Sequence, residues 1–164
     1  MERKDYVMRV IHQFIDRLLK ILKLREEGKY DDALKEIESA CESYLGLNPH
    51  IVDLAPDVTL LSLLTIGKSL DAEKCLFLAK LLKEQGQIFE AKKEESKSYW
   101  SYTRSLRLYI ESMIAERELM SVENLGEVDF VLARLAGVSL SPELDQRLAD
   151  FRKDASEIAP ADLN

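Results

Sequence analysis

Arg25-Glu26-Glu27-Gly28-Lys29-Tyr30-Asp31-Asp32-Ala33-Leu34 reads as a tight hinge between two amphipathic helices, and it decides the fold class. Gly28 follows an apolar-periodic run that ends in charged residues, the signature of a helix stop. A glycine takes the left-handed dihedrals of such a stop without steric cost. Tyr30-Asp31-Asp32 restarts a helix, with acidic side chains at its positive N-terminal end. Ala33 and Ala40 share nearly one face, where small side chains let a partner helix come close. The product is an antiparallel helical hairpin.

Working outward, the first helix is expected over about Lys4–Glu27, with Val7, Ile11, Phe14, Leu18 and Leu22 in one stripe. Met8, Ile15 and Leu19 widen that stripe beyond what one partner helix covers. Burial between the second helix and a later hairpin is the favoured reading; a self-association face is the alternative. The second helix, about Tyr30–Leu45, ends at Gly46 and Asn48-Pro49. Residues 47–57 then read as a connector. The apolar run Val58–Ile66, within an insert at 56–66, reads as a short helix closed by Gly67 and buried on the hairpins. A mobile flap is the alternative. At nine residues it is far below the roughly 20 that a membrane helix needs.

Asp71 is an N-cap for a helix carried by Leu76, Ala79, Leu82 and Phe89. The following turn is expected near Lys92–Ser96, with Gly86 as the rival position. A helix over about 95–118 carries Tyr99, Trp100, Tyr102 and Tyr109, whose helical spacing suits a core. Tyrosine and tryptophan at a surface can also anchor a partner. Glu127–Ala136 and a helix opened by Ser141-Pro142 are expected to form a last hairpin, with serine capping and proline at the first helical position. The domain reading is a helical domain at 1–118 (hairpins about 4–45 and 71–117), a capping hairpin at 119–156 and a frayed tail at 157–164.

Gly28-x-Tyr30-x-x-Ala33 with Ala40 resembles the second half of a tetratricopeptide repeat (TPR). The first-half signature is absent from 17–24. Gln85-Gly86-Gln87-Ile88-Phe89 resembles that half in the later hairpin. Phe89 takes the tyrosine position there, and Lys93 replaces the turn glycine. Asp5-Tyr6-Val7-Met8-Arg9, Glu26-Glu27-Gly28-Lys29-Tyr30 and Lys83-Glu84-Gln85-Gly86-Gln87-Ile88 are similar to an uncharacterised family of small bacterial TPR-like proteins. This resemblance covers roughly residues 4–116. It implies an all-α fold of antiparallel hairpins in a TPR-like right-handed array, about seven helices including one short inserted helix. It implies no activity.

The 164 residues are 46% hydrophobic and 32% charged, enough for one core in a helix-rich chain. A net charge of −7 argues against nucleic acid and anionic membranes as partners. Cys41 and Cys75 are far apart and lack a zinc or redox spacing. Met1-Glu2-Arg3-Lys4-Asp5 leads into no uninterrupted apolar segment, so a cytoplasmic location is expected. His12 and His50 have no nucleophile or ligand partner in sequence. No phosphate loop, di-iron signature or nucleophile elbow is present.

A non-enzyme without cofactors is therefore expected, acting as an interaction or scaffold domain. Its partner would be a peptide or helix held in the groove of the stack. Self-assembly into a homodimer through the first helix is the alternative. By the resemblance, the carboxylate-clamp positions of TPR domains fall on Leu18 and Leu22, where an apolar anchor suits better. In the second hairpin they fall on Lys83 and Gln87. Trp100 completes the candidate contact residues.

Overall fold

The structure is a computed structural model that describes residues 2–158 and 160–163. Among these residues eight α-helices follow one another: α1 (Glu2–Glu26), α2 (Tyr30–Leu45), α3 (Pro49–Leu54), α4 (Asp57–Leu63), α5 (Ala72–Ala91), α6 (Glu95–Ala115), α7 (Val122–Arg134) and α8 (Pro142–Ser156). Two strands of two residues each, β1 (Thr65–Ile66) and β2 (Ser69–Leu70), pair antiparallel with Thr65 opposite Leu70 and Ile66 opposite Ser69. The chain is all-α.

The α1–α2 hinge turns at Gly28, whose φ is +75°. The backbone N–H of Lys29 donates to the Leu24 carbonyl at 2.9 Å, so the last turn of α1 keeps its acceptors satisfied. Ala33 and Ala40 are wholly buried against the neighbouring helices, as small residues at a close crossing should be.

The turn between α5 and α6 falls at Lys92–Glu94, with Gly86 well inside α5. Lys93 occupies the left-handed position at φ +62°. Lys93 N–H donates to the Glu90 carbonyl (3.0 Å) and Glu94 N–H to that of Phe89 (2.9 Å). These are the bonds that end a helix at a left-handed residue, made here without glycine.

The α5–α6 hairpin is the centre of the molecule. On one side α2 packs on α5 and α1 reaches it; on the other, α7 and α8 lie on α6, with α4 against α6 as well. Residues 104–110 of α6 are buried on every face. Gly86 is what brings the two helices so close. A Cβ there would come within 2.6 Å of two ring carbons of buried Tyr102. Ser98 and Ser105 hydroxyls donate across the same contact to the Gly86 and Ala79 carbonyls, at 2.9 and 2.7 Å.

Several expectations are corrected. The connector at 47–57 holds a helix, α3, because Asn48 caps it through the His50 N–H (2.9 Å) and Pro49 starts it. The run Val58–Ile66 is not one helix. Its helix stops at Leu63, and Thr65-Ile66 go into the small ladder. Nor is it buried all round: Leu60 and Leu64 are inside, while Val58, Leu63 and Ile66 face outward. Short apolar runs do not separate helix from strand by periodicity alone. Helix α7 starts at Val122, where Ser121 caps it through the Asn124 N–H (3.1 Å), five residues before the expected Glu127.

The two helices expected to form a last hairpin each make their main contact with α6. An ion-pair network fixes α8 there. Arg107 reaches Asp57 (3.1 Å), Glu111 (2.7 Å) and Glu143 (3.1 Å), and Arg147 reaches Glu111 (2.6 Å). Of the tail at 157–164, Ala159 and Asn164 lie outside the described residues. Ile158 packs against the core, and Pro160–Asp162 forms a single 3₁₀ turn.

The broad stripe of α1 is also only partly covered. Phe14 and Ile21 are buried, and Leu18 and Leu24 pack against the core. Met8, Ile15 and Leu19 are exposed, at 45%, 46% and 57%. Length accounts for Met8: α2 has 16 residues against the 25 of α1, and Tyr44 near its end meets Phe14, so Met8 lies beyond it. Ile15 and Leu19 run alongside α2 but line the groove that α1 shares with α5 and α7.

Candidate functional site

Helices α1, α5 and α7 leave a groove of about 630 Å³ between them. Its α1 wall is Ile11, Phe14, Ile15, Leu18, Leu19 and Leu22; Leu76 and Phe77 of α5 form the floor, and Leu119 closes one end. Phe14 stacks on Phe77 with ring centroids 4.1 Å apart, and Tyr44 meets Phe14 edge-on at 5.6 Å. The stacked pair ties the α1 wall to α5, and the edge-on contact ties it to α2.

The opposite rim is polar. Lys80 Nζ donates to Glu127 Oε2 (2.9 Å) and Asn124 Oδ1 (3.1 Å), and Lys83 Nζ lies 3.6 Å from the same carboxylate. The Tyr109 hydroxyl, buried beneath, donates to the Glu127 carboxylate. Burial alone would raise the Glu127 carboxyl, but Lys80, Tyr109 and Lys83 outweigh it and hold it below the usual carboxylate range. Burial pushes the Tyr109 hydroxyl well up. At the far end Glu84 lies 3.4 Å from Arg25, in Coulombic contact but not aligned for a hydrogen bond. Burial there outweighs Arg25 and Lys83, so the Glu84 carboxyl is raised. The groove therefore has an apolar bed, one clamped ion-pair cluster and further carboxylates along its edge.

Leu18 and Leu22 fall in the groove, on its α1 wall. Lys83 and Gln87 do not line it. Lys83 is engaged with Glu127 and lies over the Phe130 ring at 5.1 Å, and the half-buried Gln87 has a carboxamide oxygen with no hydrogen-bond partner among the described residues. Trp100 is elsewhere, on a separate pocket of about 230 Å³ with Asp53, Gln85, Ser101 and Arg104. There Trp100 Nε1 donates to the Asp53 carbonyl (3.3 Å), and the guanidinium of Arg104 sits 4.7 Å over the indole.

Arg104 is buried and spends its hydrogen bonds on backbone, donating from Nη1 to the carbonyls of Val52 (2.5 Å) and Ala55 (3.1 Å) at the end of α3. Burial, only partly offset by Asp53 and Asp57, brings it down to about 10. This arginine pins α3 to α6, a positive charge at a helix C-terminus. His12 and His50 are exposed, on α1 and at the start of α3. Burial pushes the Cys41 thiol up to about 12 and raises that of Cys75, so neither is a ready thiolate.

Phe77, Leu119 and Asn124 were not singled out in sequence, and Leu76 was read only as part of the apolar face of its helix.

Fold and groove together define an all-helical protein with an open, apolar inter-helix groove. The chain belongs to a family of unknown function (DUF6483), whose model matches residues 1–126 and so takes in every groove residue up to Asn124. No curated protein and no solved structure matches it. Among the described residues no helix is long and apolar enough to cross a membrane.

Proposed function

We propose that this protein is a non-enzymatic interaction module that takes an amphipathic helix or peptide of a protein partner into the α1–α5–α7 groove. The observation that carries the reading is the exposure of Ile15 and Leu19 along a groove already walled by Leu18 and Leu22. A contiguous apolar channel rimmed by polar groups is the shape a helix partner fills with residues at i, i+3, i+4 and i+7. The TPR-like arrangement is part of the same proposal. Its support is the pair of consecutive hairpins, the close crossing at Ala33 and Ala40, and the contact of α1 with α5. A cytoplasmic setting, and the exclusion of nucleic acid by a net charge of −7, belong to it as well.

The test is affinity capture with the protein and with an Ile15→Glu/Leu19→Glu variant, after circular dichroism shows both folded. The proposal expects a protein enriched by the parent and lost with the variant. Equal recovery by the two proteins refutes the groove as the binding surface.

A further inference from the structure

The N-terminal part of α1 is only lightly packed: Val7, Val10 and Ile11 are half-buried and the rest is exposed. From Glu2 to Gln13 no residue is buried, and Val7, Val10 and Ile11 are not among the residues packed on the core. Twelve helical residues span about 18 Å, so the arm runs roughly that far past the Phe14–Tyr44 contact where α2 ends. Yet it is amphipathic: Val7 and Met8 continue the stripe that becomes Ile11, Ile15, Leu18, Leu19 and Leu22 on the groove wall. A helix of this length is marginal in water without a packed face. The arm cannot fold back into its own groove, because it continues the groove's wall in a straight line.

Charge indicates what covers it. The arm carries Arg3, Lys4 and Arg9 against Glu2 and Asp5, a net charge of +1, and none of the five has an ion-pair partner among the described residues. The groove carries Glu73 and Glu123, which likewise have none, and Glu73 belongs to a crowded acidic group with Asp71, Glu116 and Glu118. Partial burial, and then these like charges, raise the Glu116 carboxyl. Within a chain of net charge −7, the arm is an amphipathic helix of net charge +1 and the groove an apolar bed with unpaired anions.

We propose that the occupant of the groove is the α1 arm of a second copy, residues 2–13, so that two chains exchange arms reciprocally about a two-fold axis. This rests on the reading of the groove as a helix-binding site and names its partner. Arm and groove wall lie on one helix, so a two-fold closes both contacts at once and leaves no unfilled groove to propagate into a fibre. Arg9 of each arm then lies beside Glu123 of the other chain, and Val7 and Met8 cover Ile15 and Leu19.

Sedimentation equilibrium over a concentration series tests it, on the full chain and on Val7→Glu/Met8→Glu, a change confined to residues without core contacts. The expected mass is twice 18.8 kDa for the parent and 18.8 kDa for the variant, with matched circular dichroism. The parent's dissociation constant should rise with added NaCl, as screened charge pairs require. A fluorescent peptide of residues 2–13 should bind the arm variant and fail to bind Ile15→Glu/Leu19→Glu. A parent that stays at 18.8 kDa throughout, with no peptide bound, overturns the arm exchange. If that monomer still loses a captured protein on Ile15→Glu/Leu19→Glu, the groove reading stands and only its occupant is wrong. A dimer unaffected by Val7→Glu/Met8→Glu also overturns the proposal, because it would form through another face.

Discussion

Replacing Gly86 with alanine sets two effects of opposite sign against each other. In the middle of a helix alanine is favoured over glycine by about 1 kcal/mol. The new Cβ, however, would sit 2.6 Å from Cδ1 and from Cε1 of Tyr102, about 1 Å inside ordinary carbon–carbon contact. The ring has nowhere to go. It is buried between α5 and α6, its hydroxyl donates to Glu90 at 2.8 Å, and its far side meets Phe130 edge-on at 6.4 Å. Overpacking of this kind costs about 3 kcal/mol at the upper end of its usual range. The net expectation is a loss of about 2 kcal/mol, or roughly 1 M in urea midpoint for a chain of this size.

Gly126 is the control. It lies within α7 with nothing within 4 Å of the position of a Cβ, so Gly126→Ala should raise the midpoint by the propensity gain alone. In a Tyr102→Ala background, Gly86→Ala should turn from destabilising to stabilising. Urea unfolding followed by circular dichroism reads the parent and the four variants. A midpoint that rises for Gly86→Ala in the presence of Tyr102 would refute the close-contact reasoning.

Two further outcomes can be measured. Arg104→Met leaves the Val52 and Ala55 carbonyls without their donor while also removing a buried charge. The expected result is a loss of about 2 kcal/mol, faster amide exchange in α3 and a red shift of Trp100 emission; unchanged exchange at Ala55 would contradict the pinning role. For Glu127, whose folded carboxyl lies below its unfolded value, the contribution to stability is complete above the unfolded carboxylate value of about 4.3 and fades as pH falls through the folded one. The stability gap between the parent and Glu127→Gln should therefore be largest at neutral pH and close in acid. A gap that does not vary with pH would count against the ion-pair cluster.

What could be read in advance was whatever a local signal fixes. Gly28 and Gly46 bound α2 at both ends, and Ser141-Pro142 placed the start of α8, because caps act within one turn. Misreadings came where two signals competed. Helix α7 was expected from Glu127 but starts at Val122, since Ser121 upstream supplies the cap and nothing crowds Gly126 inside the helix. Pro49 looked like a connector residue and is a helix start. The groove was half legible: the width of the α1 stripe showed that one partner was not enough. Its other wall comes from residues about a hundred positions away, and no periodicity in α1 could say that α2 stops short at Phe14.

The short turn at Lys92–Glu94 bears on how the molecule is assembled in time. Helices α5 and α6 are adjacent in the chain, and between them they contact α1, α2, α4, α7 and α8. Closing three residues costs little chain entropy, so the pair that everything else docks on is also the one whose encounter is cheapest to achieve. The remaining helices have that pair as their template: α7 adds beside its neighbour α6, while α2, α4 and α8 dock on it across gaps in the sequence. Pairing this local favours early formation of the α5–α6 hairpin, ahead of the dockings that close longer loops.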